Sequence, residues 1–287
     1  GLGRWGQVLI NSIHEKSETL TVVAGCTGRK EKAAAYCSNK GIDLRNTFAD
    51  LLTDKNLDAV IIATPHDQHM DQIIAAAEAG KHVFVEKPFT MTKESAERAR
   101  NACATAGVVC ALGHNRRFLP SMKRLRDLVD GGKIGDTIHV EANISTPGRD
   151  YSADHWRSDP TQCPAGSMTG LGVHMTDALI SIMGPIGQVN ATSEARFFGD
   201  VESAVTFMTL RFVSGATGVF STLFQTAPVW FLRVSGNQGW DEIRGPHSLA
   251  SHKIGGAKEN LEKFAKTDIE RAELEAFANA VAGEAPY

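Results

Sequence analysis

The stretch DAVIIATPHDQHMDQIIAAAEAGKHVFVEKPF, Asp58 to Phe89, holds one complete strand–helix–strand unit. Asp58 to Ala63 is almost wholly apolar, as a parallel strand buried on both faces must be. The segment Gln68 to Ala79 reads as a helix, and Gly80 closes it because glycine enters the left-handed region without steric cost. His82 to Val85 is a second strand of β-branched and aromatic residues. Pro88 ends it, since proline has no N–H to give a ladder. Two apolar strands with a helix between them predict a parallel sheet.

Outward from this unit the alternation continues. A helix from Thr92 to Ala106 has Ala96, Ala99, Cys103 and Ala106 on one face, Gly107 stops it, and Val108 to Gly113 is another strand. On the other side, at the start of the chain, Gly1-x-Gly3-x-x-Gly6 runs straight into a helix at Gln7 to Ile13. That spacing suits a tight turn, close backbone approach to a pyrophosphate, and packing of helix on strand. Thr19 to Cys26 reads as the next strand. About 20 positions beyond the last glycine, where an NAD enzyme places an acid for the ribose, stand Thr27, Gly28, Arg29 and Lys30. A hydroxyl with two cations favours NADP over NAD. The competing reading is that Arg29 and Lys30 merely open a solvated helix, Glu31 to Lys40.

The expected fold is α/β: an N-terminal Rossmann doubly wound sheet over residues 1–115, then a C-terminal α+β domain over 116–287 with a large, mostly antiparallel open sheet. The second half contains a helix at Pro120 to Asp130. Alternating runs follow at Thr137–Thr146, Val189–Phe198, Ala204–Val213, Gly218–Gln225 and Trp230–Ser235, joined by short turns such as Val213-Ser-Gly-Ala. A sheet face of that size with few helices to cover it predicts another subunit as cover.

At 287 residues, 42% hydrophobic and 22% charged, with a net charge of −3, the chain has ordinary globular composition and no basic patch for nucleic acid or an anionic membrane. No apolar run approaches the ~18 residues of a membrane span. Five scattered cysteines lack metal or redox spacing and ten histidines form no HExxH, so no metal is expected and reduced thiols in the cytoplasm are the economical reading. The sequence opens on the glycine turn without a preceding strand, which reads as a trimmed start.

Lys87 stands before a proline at the carboxyl end of a strand, where open parallel sheets bind ligands, so its amine is a candidate proton donor and acceptor. The alternative is a strand-ending turn with Glu86 and Lys87 solvated. Further on, PAGSMTGLGVHMTDALISIMG, Pro164 to Gly184, forms an apolar stripe of Met168, Leu171, Met175, Leu179 and Ile182. Gly170, His174, Asp177 and Ser181 share another face. His174 with Asp177 suits a base and the group that orients it, or a histidine satisfied for structural reasons. Trp156 and Arg157 suit a polyol, or loop packing.

GLGRWGQ, ATPHDQH, VEKPF, GHNRRF, GKIGD, WRSDP and GSMTGLGVHMTD, in this order, resemble the Gfo/Idh/MocA oxidoreductases over nearly the whole chain. VEKP and GLGVH about 85 residues apart are a specific pairing. The resemblance implies NADP or NAD, hydride transfer to or from a sugar or cyclitol, and a homodimer or homotetramer through the large sheet. It assigns Lys87 to nicotinamide and substrate hydroxyl, and His174 to the reacting carbon. It places Gly1, Gly3, Arg4, Trp5, Gly6, Thr64, Pro65, His69, Glu86 and Arg116 along the cofactor, beside Thr27, Arg29 and Lys30. Trp156, Arg157 and Asp177 join Lys87 and His174 toward the substrate. His66 replaces the usual asparagine. Gly170 replaces an aspartate found in many relatives four residues before the histidine, so no aspartate relay is assigned. Relatives also carry one more helix packing back on the Rossmann domain, which is expected to be missing here. An NAD(P)-dependent dehydrogenase or reductase is the first reading. A hydrolase or lyase working by transient oxidation and elimination, and a non-catalytic dinucleotide sensor, are the alternatives.

Overall fold

In the computed structural model, which describes residues 1–147, 156, 159, 161–164, 166–194, 205–224 and 226–287, the chain forms two units. The first comprises Gly1–Asn115 with Asp268–Tyr287, the second Arg116–Thr267.

The first unit opens on the glycine turn and α1 (Arg4–Ile13), which buries Leu9, Ile10 and Ile13. There follow β1 (Ala24–Gly25), α2 (Lys30–Asn39), β2 (Asp43–Leu44) and α3 (Phe48–Leu52), the last fixed by a capping box between Thr47 and Asp50. The strand–helix–strand stretch becomes β3 (Ala59–Ile62), α4 (His69–Glu78) and β4 (His82–Glu86), followed by α5 (Lys93–Ala106) and β5 (Cys110–Gly113). Strands β3, β4 and β5 pair in parallel with β4 central, and β1 pairs in parallel with β2. Being central and covered on both faces, β4 buries Val83, Phe84 and Val85 completely. Gly107 caps α5 at φ 68°, as its position predicts.

The second unit holds α6 (Pro120–Asp130), β6 (Thr137–Ser145), and a π turn over Met168–Gly172 that runs into α7 (Val173–Met183). Then come β7 (Ile186–Glu194), β8 (Val205–Phe212), β9 (Thr217–Leu223), β10 (Val229–Gly236), β11 (Gly239–Arg244), β12 (Ser248–Lys253) and β13 (Asn260–Lys263). Among the described residues these form one eight-stranded sheet in the order β13-β12-β11-β10-β6-β9-β8-β7. It is antiparallel except where β6 meets β9. Val140, Ala142, Phe220, Leu232, Val234 and Ile243 point to its buried face at the period of two that strands impose.

Three expectations need correction. Helix α8 (Ile269–Val281) is present and packs in the first unit, its Leu274 and Phe277 against Leu9, Ile13 and Phe84. The first unit takes in residues 268–287 along with 1–115, whereas 116–287 had been assigned to the second domain. The strand expected over Thr19 to Cys26 shrinks to Ala24–Gly25, because only those residues find ladder partners, in β2. The β11–β12–β13 meander and α3 were not foreseen. Parts of the expected strands over 189–198 and 204–213, at residues 195–204, lie outside the described residues.

Candidate active site

The glycine turn is built by steric exclusion. A Cβ on Gly1 would stand 2.4 Å from the Ala63 carbonyl oxygen, and one on Gly6 would stand 1.9 Å from the Gly1 oxygen, distances no side chain tolerates. Around Gly3 there is open space. Glycines 1 and 6 thus lock the start of α1 against the chain leaving β3, and Gly3 leaves room for a ligand. The N-terminus of α1 has no side-chain cap and no acid in its first turn, so its amide dipoles are available to an anion. Arg4 is exposed, with its guanidinium 5.8 Å from the Trp5 ring. These features fit a dinucleotide pyrophosphate.

After β1, Thr27 accepts from Arg29 N at 3.5 Å, and Arg29 is exposed. Lys30 donates to Asn46 Oδ1 at 2.5 Å, so one of the two cations is already engaged.

At the carboxyl end of β4, Glu86 is only 6% exposed. Trp5 Nε1 donates to its Oε1, and Lys87 N to its Oε2 at 3.2 Å. Burial pushes the Glu86 carboxyl up to about 7 against the opposing pull of Trp5 and Lys87. Lys87 is half-buried, and a cis peptide joins it to Pro88. His69 is fully buried, its Nδ1 2.9 Å from the Pro88 oxygen and its Nε2 3.2 Å from the Thr64 oxygen. Each ring nitrogen faces a carbonyl oxygen of the segments after β3 and β4, the neutral ring donating to one of them, and His69 supports those segments from behind. Desolvation lowers its pKa. Thr64 Oγ1 donates to Gln72, and Pro65 precedes the short turn holding His66, itself buried.

In the second unit, His174 lies buried in the first turn of α7, while Gly170 sits exposed in the π turn with open space where a Cβ would go. The even helical face expected over 170–181 is broken by that wider turn. Met175 and Leu179 are buried as expected, but Met183 is buried in place of Ile182. Asp177 takes Arg117 in a two-pronged pair, Nε to Oδ2 at 2.8 Å and Nη2 to Oδ1 at 2.5 Å. Its visible partner is thus an arginine the sequence reading passed over. Ser181, expected on the same face, accepts from Arg126. Arg116 belongs to this unit, its guanidinium 5.0 Å from the Trp230 ring. It helps line a cavity of about 310 Å³ with Ser145, Thr146, Leu171 and Trp230. Trp156 is half-buried, and Arg157 lies outside the described residues. No group of three potential ligands for a metal occurs among the described residues.

The missed residues are Glu270 and Glu273 on α8. Asn115 Nδ2 donates to Glu270 Oε1 at 3.0 Å. Glu273 is fully buried, and neither of its carboxyl oxygens has a hydrogen-bond partner among the described residues. Its spacing, Ile269-Glu273-Phe277-Val281 at i, i+4, i+8 and i+12, was the available signal: a carboxylate in an apolar seam.

Comparison with known proteins gives two family matches. The model described as "Oxidoreductase family, NAD-binding Rossmann fold" covers residues 1–114, and the Gfo/Idh/MocA C-terminal domain covers residues 122–241. D-xylose 1-dehydrogenase (NADP(+)) 2 of Haloferax volcanii is 31% identical over 89% of this chain and 80% of its own length. The scyllo-inositol 2-dehydrogenase (NAD(+)) of Bacillus subtilis is 31% identical over 76% of this chain and 64% of its own. A levoglucosan dehydrogenase solved with NADH and levoglucosan shares the fold, with a TM-score of 0.90 at 19% identity over all of this chain and 89% of its own.

Proposed function

This chain belongs to the Gfo/Idh/MocA oxidoreductase family, and we propose that it transfers a hydride between a nicotinamide dinucleotide and a carbinol carbon of a sugar, cyclitol or related polyol. The observation that carries the reading is Lys87, half-buried directly after a buried, doubly engaged Glu86, in the unit whose Gly1 and Gly6 admit no side chain. Gly1, Gly3 and Gly6 with Arg4 and Trp5 would hold the pyrophosphate, and Thr27 with Arg29 would receive the ribose, with NADP favoured over NAD because no acid stands there. When bound, the dinucleotide supplies or accepts the hydride. Lys87 takes or returns the hydroxyl proton, assisted by His174. Trp156 bounds the polyol; Arg116, expected along the cofactor, instead lines the cavity beside Trp230.

Purified protein given NADP, NADPH, NAD and NADH with a panel of sugars and cyclitols tests the reading. Turnover that prefers the phosphorylated cofactor and collapses in Lys87→Ala is expected. No turnover with any pair, and no difference in Lys87→Ala, would overturn it. The exposed, acid-free Gly170 favours one second reading, net elimination through transient oxidation. Product formed without net change in nicotinamide absorbance would select it.

One face of the large sheet carries Phe207, 46% exposed, and, spread over its other strands, the part-buried Val219, Phe231 and Trp240. That supports self-association through this face into a dimer or tetramer, tested by sedimentation of Phe207→Lys. The five cysteines are free thiols and no described helix is long and apolar enough to cross a membrane; the thiols support a cytoplasmic location.

A further inference from the structure

The buried carboxyls of the first unit bear on how Lys87 is held, an inference that rests on the reading above. Glu86 receives Trp5, from the turn before α1, on one oxygen and the Lys87 amide on the other. A Cβ on Gly113 of β5 would stand 3.1 Å from Glu86 Oε1, so that glycine keeps room for the carboxyl. From α8 comes Glu273, fully buried with both oxygens unpartnered among the described residues; it directly precedes Leu274, which shares a buried cluster with Phe84, two residues before Glu86 on the same face of β4. The charged groups acting on this space are Glu86 and Lys87 at the end of β4 and Glu270 and Glu273 on α8. The facing residues from α1 and after β5 are Trp5 and Asn115, neutral hydrogen-bonding groups, and between Gly113 and Asn115 lies one further titratable group, the buried His114. A carboxylate without donors in an apolar seam is prohibitively desolvated, and two neighbouring carboxylates in a dry space do not both ionise.

We propose that Glu86 and Glu273 work as a pair carrying one negative charge. Glu273 is the neutral acid, and Glu86 is the ionised member that fixes Trp5 and the backbone of Lys87. Glu273, by staying neutral, leaves the single charge on Glu86 and takes no direct part in holding Trp5 or Lys87. The directions agree: burial, reinforced by Glu86 and Glu270, raises Glu273 to about 10, while Glu86 ionises near 7. On the acid side of neutrality Glu86 takes up a proton, and its grip on the Trp5 N–H and the Lys87 amide weakens.

The test compares wild type, Glu86→Gln and Glu273→Gln in kcat/KM, dinucleotide affinity and chemical unfolding across pH. In wild type, kcat/KM and affinity fall about tenfold or more as pH drops through the Glu86 transition, the scale of loss when a reacting group is misplaced. In Glu86→Gln that limb is gone, leaving a flat profile at the wild-type acid-side level, which a purely structural loss would not produce. Glu273→Gln keeps the neutral plateau within about threefold, since an amide replaces a neutral acid. Its stability also escapes a loss that wild type shows. Glu273 has its folded pKa raised, so its contribution is full below the unfolded value of about 4.3 and is lost as pH rises toward about 10. An acid limb surviving in Glu86→Gln, a lost plateau in Glu273→Gln, or parallel unfolding curves for wild type and Glu273→Gln would each overturn the pair. Unfolding needs no substrate: if no variant transfers hydride yet the curves diverge as stated, the functional reading fails and the pair stands.

Discussion

The two units handle charge in opposite ways. The first buries it: Glu86, Glu273, His69 and Lys81 are all below a tenth exposed. Lys81, whose Nζ donates to the Asp54 and Leu57 carbonyl oxygens, and His69, held between two carbonyl oxygens, have ordinary structural uses. The two glutamates do not. The second unit pairs most of its charge near the surface, Asp241 being a buried exception whose pKa burial raises. Arg233 and Arg244 flank Glu242, Arg244 reaches Glu259 at 2.8 Å, and Arg124 meets Glu262 at 3.1 Å, all with arginines more than a third exposed. Water screens such pairs to about 0.2–1 kcal/mol each, whereas buried ionisable groups acquire shifted pKa values. Buried carboxyls near the proposed proton donor are thus a feature of the first unit, while the second adds the buried His174 to shape and recognition.

That contrast can be broken at several points. The largest effect is expected at Gly6→Ala, whose Cβ would meet the Gly1 oxygen at 1.9 Å: about 4 kcal/mol or more by chemical denaturation, with loss of dinucleotide binding. Gly3→Ala, in open space, is expected to change stability by less than about 1 kcal/mol and to weaken dinucleotide affinity selectively. Next comes Glu273→Gln, more stable than wild type at pH 8 by a few kcal/mol, on a scale of about 1.4 kcal/mol per unit of pKa shift, with the gap closing toward pH 4. In the second unit, Asp177→Asn breaks the Arg117 pair, whose arginine is 43% exposed, and is expected to cost about 1 kcal/mol. Smallest is Glu259→Gln: Arg244 holds this exposed carboxyl below its usual range, so the slight loss expected against wild type near neutrality fades as pH falls through the carboxylate range. A large, pH-dependent loss at either second-unit acid would dissolve the contrast.

What the sequence made legible follows the same division. Strands β3, β4 and β5 were read to within two residues because burial on both faces leaves an unbroken apolar run. The second unit's strands β11, β12 and β13 are only four to six residues long and show no clean alternation of polar and apolar residues, so they do not stand out from turns. Lys87, Glu86 and the glycines were visible from motif and position. The Trp5–Glu86 bond and Glu273 were not, because both depend on which distant segments pack together. The π turn before His174 was equally hidden, since a count of 3.6 per turn carries no mark of one inserted residue.

The most direct test of proton transfer by Lys87 is the single-turnover rate of nicotinamide oxidation or reduction at saturating sugar and dinucleotide, in wild type and Lys87→Met. The account predicts a fall of about 10²- to 10⁴-fold in the variant, the usual scale of a positioned acid or base, with dinucleotide affinity kept within about tenfold. A Lys87→Met protein that binds the dinucleotide and turns over at the wild-type rate would contradict it.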